Sequence, residues 1–162
     1  MPQKPCTGSS SSDRNNLHLS IVLPAYNEEA RIDESLTTLV GYLSEMDYQW
    51  EVIVVDDGST DATTTLVERH VDGEYISLLR LSHQGKGAAV KAGMIKGKGR
   101  YRMMCDVDLA MPVQWISKFL ASMERGHDLV IGSRQINGAH RFNEPVFRHV
   151  MGRLFNYCVQ LV

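Results

Sequence analysis

Asp106-Val107-Asp108 follows an apolar run, Tyr101 to Cys105, and precedes Leu109-Ala110-Met111-Pro112. If the chain stays extended there, residues two apart share a face, so both carboxylates look into one space at the carboxyl end of a strand. Two carboxylates around one site stay ionised together cheaply only with a cation between them, and hard oxygen donors suit Mg²⁺ or Mn²⁺. The competing reading is a solvated acidic turn.

Three further motifs carry chemistry. Pro24-Ala25-Tyr26-Asn27-Glu28-Glu29 closes the first apolar run. In it Tyr26 offers a flat face to a nucleobase and Glu28 an acceptor to a ribose hydroxyl, or else Asn27 merely caps a helix. Asp56-Asp57-Gly58-Ser59-Thr60-Asp61 closes the second run; its carboxylates can accept from a base N–H or a ribose, or belong to a polar loop. His83-Gln84-Gly85-Lys86-Gly87 places a cation between two glycines ahead of a helix, where backbone N–H groups and Lys86 can meet phosphate. It is not a nucleoside-triphosphate P-loop, because Arg80 stands where that motif needs Gly and Gly87 where it needs Ser or Thr. Gly132-Ser133-Arg134 adds a permanent, fork-shaped cation. Arg141, Arg148 and Arg153 follow, while the remaining histidines show no metal-binding spacing.

The elements that must position these groups alternate between short β-type runs and helical stripes, which predicts an α/β fold with a mostly parallel sheet and flanking helices. The predicted strands are Leu19 to Leu23, Val52 to Val55, Ile76 to Leu81, Tyr101 to Cys105 and Leu129 to Ile131. Ile32, Leu36, Leu39, Leu43 and Met46 recur at helical spacing, as do Val113, Ile116, Phe119, Leu120 and Met123 behind Pro112. Ala88 to Ile95 is a short helix opened by Gly85-Lys86-Gly87. A last stripe, from Val146 to Leu161, runs to the final residue without a cap. An incomplete C-terminus is therefore expected, with that stripe covered by further sequence or by another copy in a homo-oligomer.

Composition narrows the class. The 162 residues are 43% hydrophobic and 22% charged, as in an ordinary soluble domain, and the net charge of -2 argues against a general nucleic-acid binder. Cys6, Cys105 and Cys158 lack paired spacing, so neither a zinc site nor a disulfide framework is expected. No apolar run is long enough to span a membrane. Residues 1–16, with Ser9 to Ser12, read as a disordered tail, leaving 17–162 as one domain.

Ile21 to Glu28, Val54 to Asp61, His83 to Ala89, Asp106 to Asp108 and Gly132 to Arg134 together resemble, in order and spacing, the family 2 glycosyltransferases. Gly85 to Met94, Asp106 to Pro112 and Met151 to Asn156 are most similar to the polyprenyl- or dolichyl-phosphate hexosyltransferases, of the glucosyl rather than the mannosyl kind. Mannosyl members carry Gln where this chain has Ala110.

That resemblance implies the GT-A (Rossmann-like nucleotide-diphospho-sugar transferase) fold and a catalytic domain, 17–162, incomplete at its C-terminus. It implies inverting, metal-dependent transfer of a hexose, glucose from UDP-glucose, to a polyprenyl or dolichyl phosphate at the cytoplasmic face of a membrane. The donor would rest on Pro24, Ala25, Tyr26, Glu28, Asp56, Asp57, Gly85, Lys86 and Val107. Asp106 and Asp108 would hold Mg²⁺ or Mn²⁺, and Arg134 would serve the reacting phosphates. The alternatives are a GDP-mannose-dependent synthase, a family 2 transferase with another acceptor, and a nucleotide-binding fragment without turnover.

Overall fold

The computed structural model describes residues 17–132. Of these, residues 17–127 belong to one compact unit and 128–132 to a second. In chain order the elements are β1 (Leu19–Ala25), α1 (Ile32–Leu43), β2 (Trp50–Asp56), α2 (Thr63–Glu68), β3 (Ile76–Arg80), α3 (Lys86–Lys96), β4 (Tyr101–Met104) and α4 (Trp115–Glu124). The strands form one sheet in the order β3-β2-β1-β4, and every neighbouring pair is parallel. The α/β expectation holds, and four of the five predicted strands are present.

β1 and β2 lie in the middle of this sheet, which is why their sequences read as near-continuous apolar runs. Successive side chains of a strand point to opposite faces. Ile21, Leu23, Val52 and Val54 therefore share one core with Ile32, Leu36 and Leu39 of α1 and Ile116 and Leu120 of α4. Val22, Ile53 and Val55 face the other way and pack with Ala89 of α3. Gly93 lets α3 lie close to the sheet: a Cβ there would fall 2.3 Å from Val22 Cγ1 and 2.9 Å from Val55 Cγ2.

The order of the strands decides where a ligand can enter. The chain builds outward from β1 through β2 to β3, then returns to place β4 on the free side of β1. Connections leaving β1 and β4 thus diverge, and the opening outside their carboxyl ends is the site at which open α/β sheets bind ligands.

Several expectations need correction. Leu129 to Ile131 is not a strand among the described residues. Its β-branched residues suit a pleated, half-buried surface, a preference that needs a paired neighbour to act on. Helix α2 carries too short an apolar pattern, Leu66 and buried Val67, to be read from periodicity. Asn27 does not cap α1; the cap position is Arg31, with no side-chain cap bond. The tail 1–16, the terminal helical stripe, Cys6, Cys158 and Arg134, Arg141, Arg148 and Arg153 lie outside the described residues.

Candidate active site

Two loops at the carboxyl edge are stitched together by polar side chains. Asn27, in the left-handed region at φ 53°, accepts from the Thr60 backbone N–H through Oδ1 at 2.8 Å, and its own N–H donates to Ser59 Oγ at 2.9 Å. The Glu28 N–H donates to Thr63 Oγ1 at 2.8 Å, and Ala62 N–H to Glu29 Oε2 at 2.9 Å. Asn27, Glu29, Ser59 and Thr60 are thereby occupied in joining the β1 and β2 ends. Tyr26 and Glu28 remain on the cleft side.

Asp56 and Asp57 are adjacent in sequence but do different work. Asp56 is buried, accepting from Ser59 N–H at 3.0 Å and Thr64 Oγ1 at 2.5 Å, and it does not line the cleft. Asp57 does line it. Its two carboxylate oxygens accept from the backbone N–H groups of Gln84 at 2.9 Å and Gly85 at 2.8 Å, with His83 Nδ1 3.0 Å from Oδ2. The Gln84 N–H above all, helped by Gly85 and His83 and opposed by burial, holds the Asp57 carboxyl below the usual carboxylate range. Gly85, at φ 93°, takes the left-handed turn this clamp requires and delivers Lys86 as the first residue of α3.

The Asp106 turn is anchored from below. β4 ends at Met104, and Cys105 N–H still pairs with the Val22 carbonyl at 3.0 Å. The chain then turns rather than continuing extended: Leu109 N–H returns to the Asp106 carbonyl at 3.1 Å, and Leu109 takes a φ of 45°. That conformation is uncommon for a bulky residue and persists only where its surroundings enforce it. Part of the enforcement is visible: Val107 is buried, and its carbonyl accepts from Ser35 Oγ of α1 at 2.5 Å. With Val107 turned inward, Asp106 and Asp108 both line the cleft. The common facing expected from an extended chain is reached through a turn.

The two carboxylates also share an electrostatic neighbourhood. The Cys105 thiol is pushed up to about 11 by burial first and by the charges of Asp106 and Asp108 next. Lys86 Nζ lies 2.5 Å from Asp106 Oδ1, and Asp108 Oδ1 accepts from Ala110 N–H at 3.0 Å. Among the described residues no cluster of three or more His, Cys, Asp and Glu side chains could cage a metal. A Mg²⁺-type ion does not need such a cage, since it keeps several waters and binds through one or two carboxylates plus substrate phosphates. The acidic pair, with a cationic group already drawn to it, fits that coordination.

The cleft measures about 310 Å³ and is lined by Pro24, Ala25, Tyr26, Glu28, Asp57, Lys86, Asp106, Val107 and Asp108 among others. Arg31, His83 and Ala89 line it too; His83 and Ala89 bound the motif read from the sequence without a role of their own, and Arg31 lies outside every motif. His83 stacks on Tyr26 at 4.2 Å between ring centroids, and Arg31 Nη1 lies 3.3 Å from Glu28 Oε2. Arg31 stands three residues after Glu28, a spacing that pairs charges on one turn. Nothing in the sequence alone marked His83 as a partner of Tyr26, because the two stand 57 positions apart.

Residues 20–157 match the family Glycosyl transferase family 2. The chain belongs to that family. Among its curated relatives, it is 33% identical to the dolichyl-phosphate beta-glucosyltransferase of Drosophila melanogaster, over 98% of this chain and 53% of the relative. It is 33% identical to the undecaprenyl-phosphate 4-deoxy-4-formamido-L-arabinose transferase of Pseudomonas fluorescens, over 76% of this chain and 38% of the relative. The chain thus spans about a third to a half of the length of the curated relatives it matches. A similar solved structure is glucosyl-3-phosphoglycerate synthase from Mycobacterium tuberculosis in complex with Mn²⁺, UDP and glucosyl-3-phosphoglycerate, with a TM-score of 0.52 and 25% identity, covering 72% of this chain and 43% of that one. The parallel sheet and its flanking helices are those of the GT-A fold of family 2 glycosyltransferases.

Proposed function

We propose that this family 2 chain carries the sugar-nucleotide site of a transferase that moves glucose from UDP-glucose to a polyprenyl or dolichyl phosphate, with inversion and with Mg²⁺ or Mn²⁺. The observation that carries the reading is the meeting of Asp106, Asp108 and Lys86 in one cleft at the point where the strand order reverses. Base and ribose would lie towards Tyr26, Glu28 and Asp57, and the diphosphate towards Lys86 and the acidic turn. The relatives named for dolichyl-phosphate glucosyl transfer support glucose and the lipid acceptor. Ala110 supports glucose through the family resemblance alone, since the mannosyl members carry Gln at that position.

The chemistry asked of the chain is mostly electrostatic. Asp106 and Asp108 would hold the divalent ion, which would supply Lewis-acid stabilisation for charge on the departing nucleoside diphosphate. Lys86 adds a fixed positive charge, and Asp57 holds the loop that aims it. A polyprenyl phosphate has a second pKa of about 6, so near neutral pH the nucleophile is already an anion and no dedicated base is required. Arg134 is proposed to contribute a further cation on the acceptor side. Such an acceptor places the whole protein at a membrane, for which the cytoplasmic face is proposed. Among the described residues no helix is long and apolar enough to cross a membrane.

The test is incubation with Mn²⁺, a short-chain polyprenyl phosphate and either UDP-glucose or GDP-mannose, with mass spectrometry of the lipid. Metal-dependent glucosyl lipid from UDP-glucose is the expected product. Mannosyl lipid from GDP-mannose alone would overturn the donor. UDP release without glycolipid would overturn the acceptor, and tight nucleotide binding with neither would favour the non-catalytic alternative.

A further inference from the structure

We propose that Lys86 is the resident counter-cation of Asp106, and that metal and nucleoside diphosphate displace it together, so that the two ligands bind this cleft as a unit. The inference rests on the reading of Asp106 as a metal ligand. Lys86 Nζ lies 2.5 Å from Asp106 Oδ1, so the ammonium already neutralises the carboxylate that a divalent ion would use. Asp108 is not engaged in this way, since its bond is to the Ala110 N–H. A metal ion arriving alone therefore competes with the ammonium for the Asp106 charge and is repelled by it at short range. Arriving with a diphosphate, it brings the ammonium a new anionic partner in the same cleft.

The surrounding structure makes the exchange a side-chain movement. The backbone before Lys86 is fixed by the Asp57 carboxylate, which accepts from both Gln84 and Gly85, and α3 is locked to the sheet through Gly93. The side chains of Lys86 and Asp106 are 61% and 47% exposed. A pair this wet is weak, so the incoming ligands can open it. Coupling of this kind is reciprocal: nucleotide raises metal affinity by the factor by which metal raises nucleotide affinity.

Removing the ammonium separates the two binding events. In Lys86→Met, Mn²⁺ alone should bind about 2- to 5-fold more tightly, the worth of an exposed ion pair. UDP in the presence of Mn²⁺ should bind about 10-fold or more weakly, because a charge-assisted contact to phosphate is lost. Lys86→Arg, which keeps the cation, should stay near wild type for Mn²⁺ alone. Mn²⁺ binding is read by electron paramagnetic resonance and UDP binding by calorimetry, with Asp106→Asn as the reference for metal bound at this site. Opposite signs for the two ligands in Lys86→Met support the proposal. Unchanged Mn²⁺ affinity, or a shift of both ligands in one direction, overturns it while leaving the metal site standing. Mn²⁺ binding indifferent to Asp106→Asn overturns the reading of the site and this inference with it.

Discussion

Gly93→Ala is a one-carbon change with a calculable cost. The new Cβ would stand 2.3 Å from Val22 Cγ1 and 2.9 Å from Val55 Cγ2, where carbon atoms normally rest about 3.5–4.0 Å apart. Both valines are fully buried in central strands, and β-branched side chains have little χ1 freedom with which to retreat. Helix α3 must instead move off the sheet by about 1 Å, and overpacking of this kind costs about 1–3 kcal/mol. With two stiff neighbours the upper end applies, offset by about 1 kcal/mol from the better helix propensity of Ala. Gly41→Ala in α1 meets nothing within 4 Å and should show the propensity gain alone. The two variants should therefore differ by about 3 kcal/mol in urea unfolding, with Gly93→Ala the less stable. Lys86 lies seven residues up the same helix, about 10 Å along its axis, so a displaced α3 should also loosen the Lys86–Asp106 pair. Equal stability of the two variants would refute the argument that close packing at Gly93 seats α3.

Three further outcomes follow from particular contacts. Ser35→Ala removes the hydroxyl bonded to the Val107 carbonyl and should cost about 1–3 kcal/mol in chemical unfolding, together with weaker Mn²⁺ binding as the acidic turn loosens. Asp57 has a depressed carboxyl pKa in the folded protein, so its contribution to stability is complete above the ordinary carboxylate value of about 4 and is lost as pH falls through its lower folded value. The stability gap between wild type and Asp57→Asn should accordingly be constant at neutral pH and narrow in acid; a gap that widens in acid would reverse the assignment. Tyr26→Ala should weaken UDP binding by about 5-fold or more, on the scale of stacking a base on an aromatic ring, and equally so with chelator present.

The fold was readable where burial imposed a pattern. Val52 to Val55 reads as a central parallel strand because both its faces are covered, and the stripe from Ile32 to Leu43 reads as a helix because only one of its faces is. Leu129 to Ile131 has the same composition as a strand but no ladder partner among the described residues, and composition alone cannot supply one. At the site, residue types revealed which groups carry chemistry, while long-range partners decided how each is used. Asp56 and Asp57 look equivalent in sequence, yet Asp56 is spent on Ser59 and Thr64, and Asp57 organises the loop before Lys86. Ser35 was legible only as a polar residue within an apolar stripe, and its partner lies 72 positions away.

The most direct measurement of the central claim is calorimetric titration of UDP-glucose into wild type and Asp108→Asn, each with Mn²⁺ and with chelator. Wild type should bind in Mn²⁺ and lose most of that affinity in chelator. Asp108→Asn should retain its fold by circular dichroism and lose about 10-fold or more in UDP-glucose affinity in the presence of Mn²⁺, the scale of one charge-assisted contact. UDP-glucose affinity unchanged by both the substitution and the chelator would contradict the assignment of the Asp106 turn to a metal-bound diphosphate.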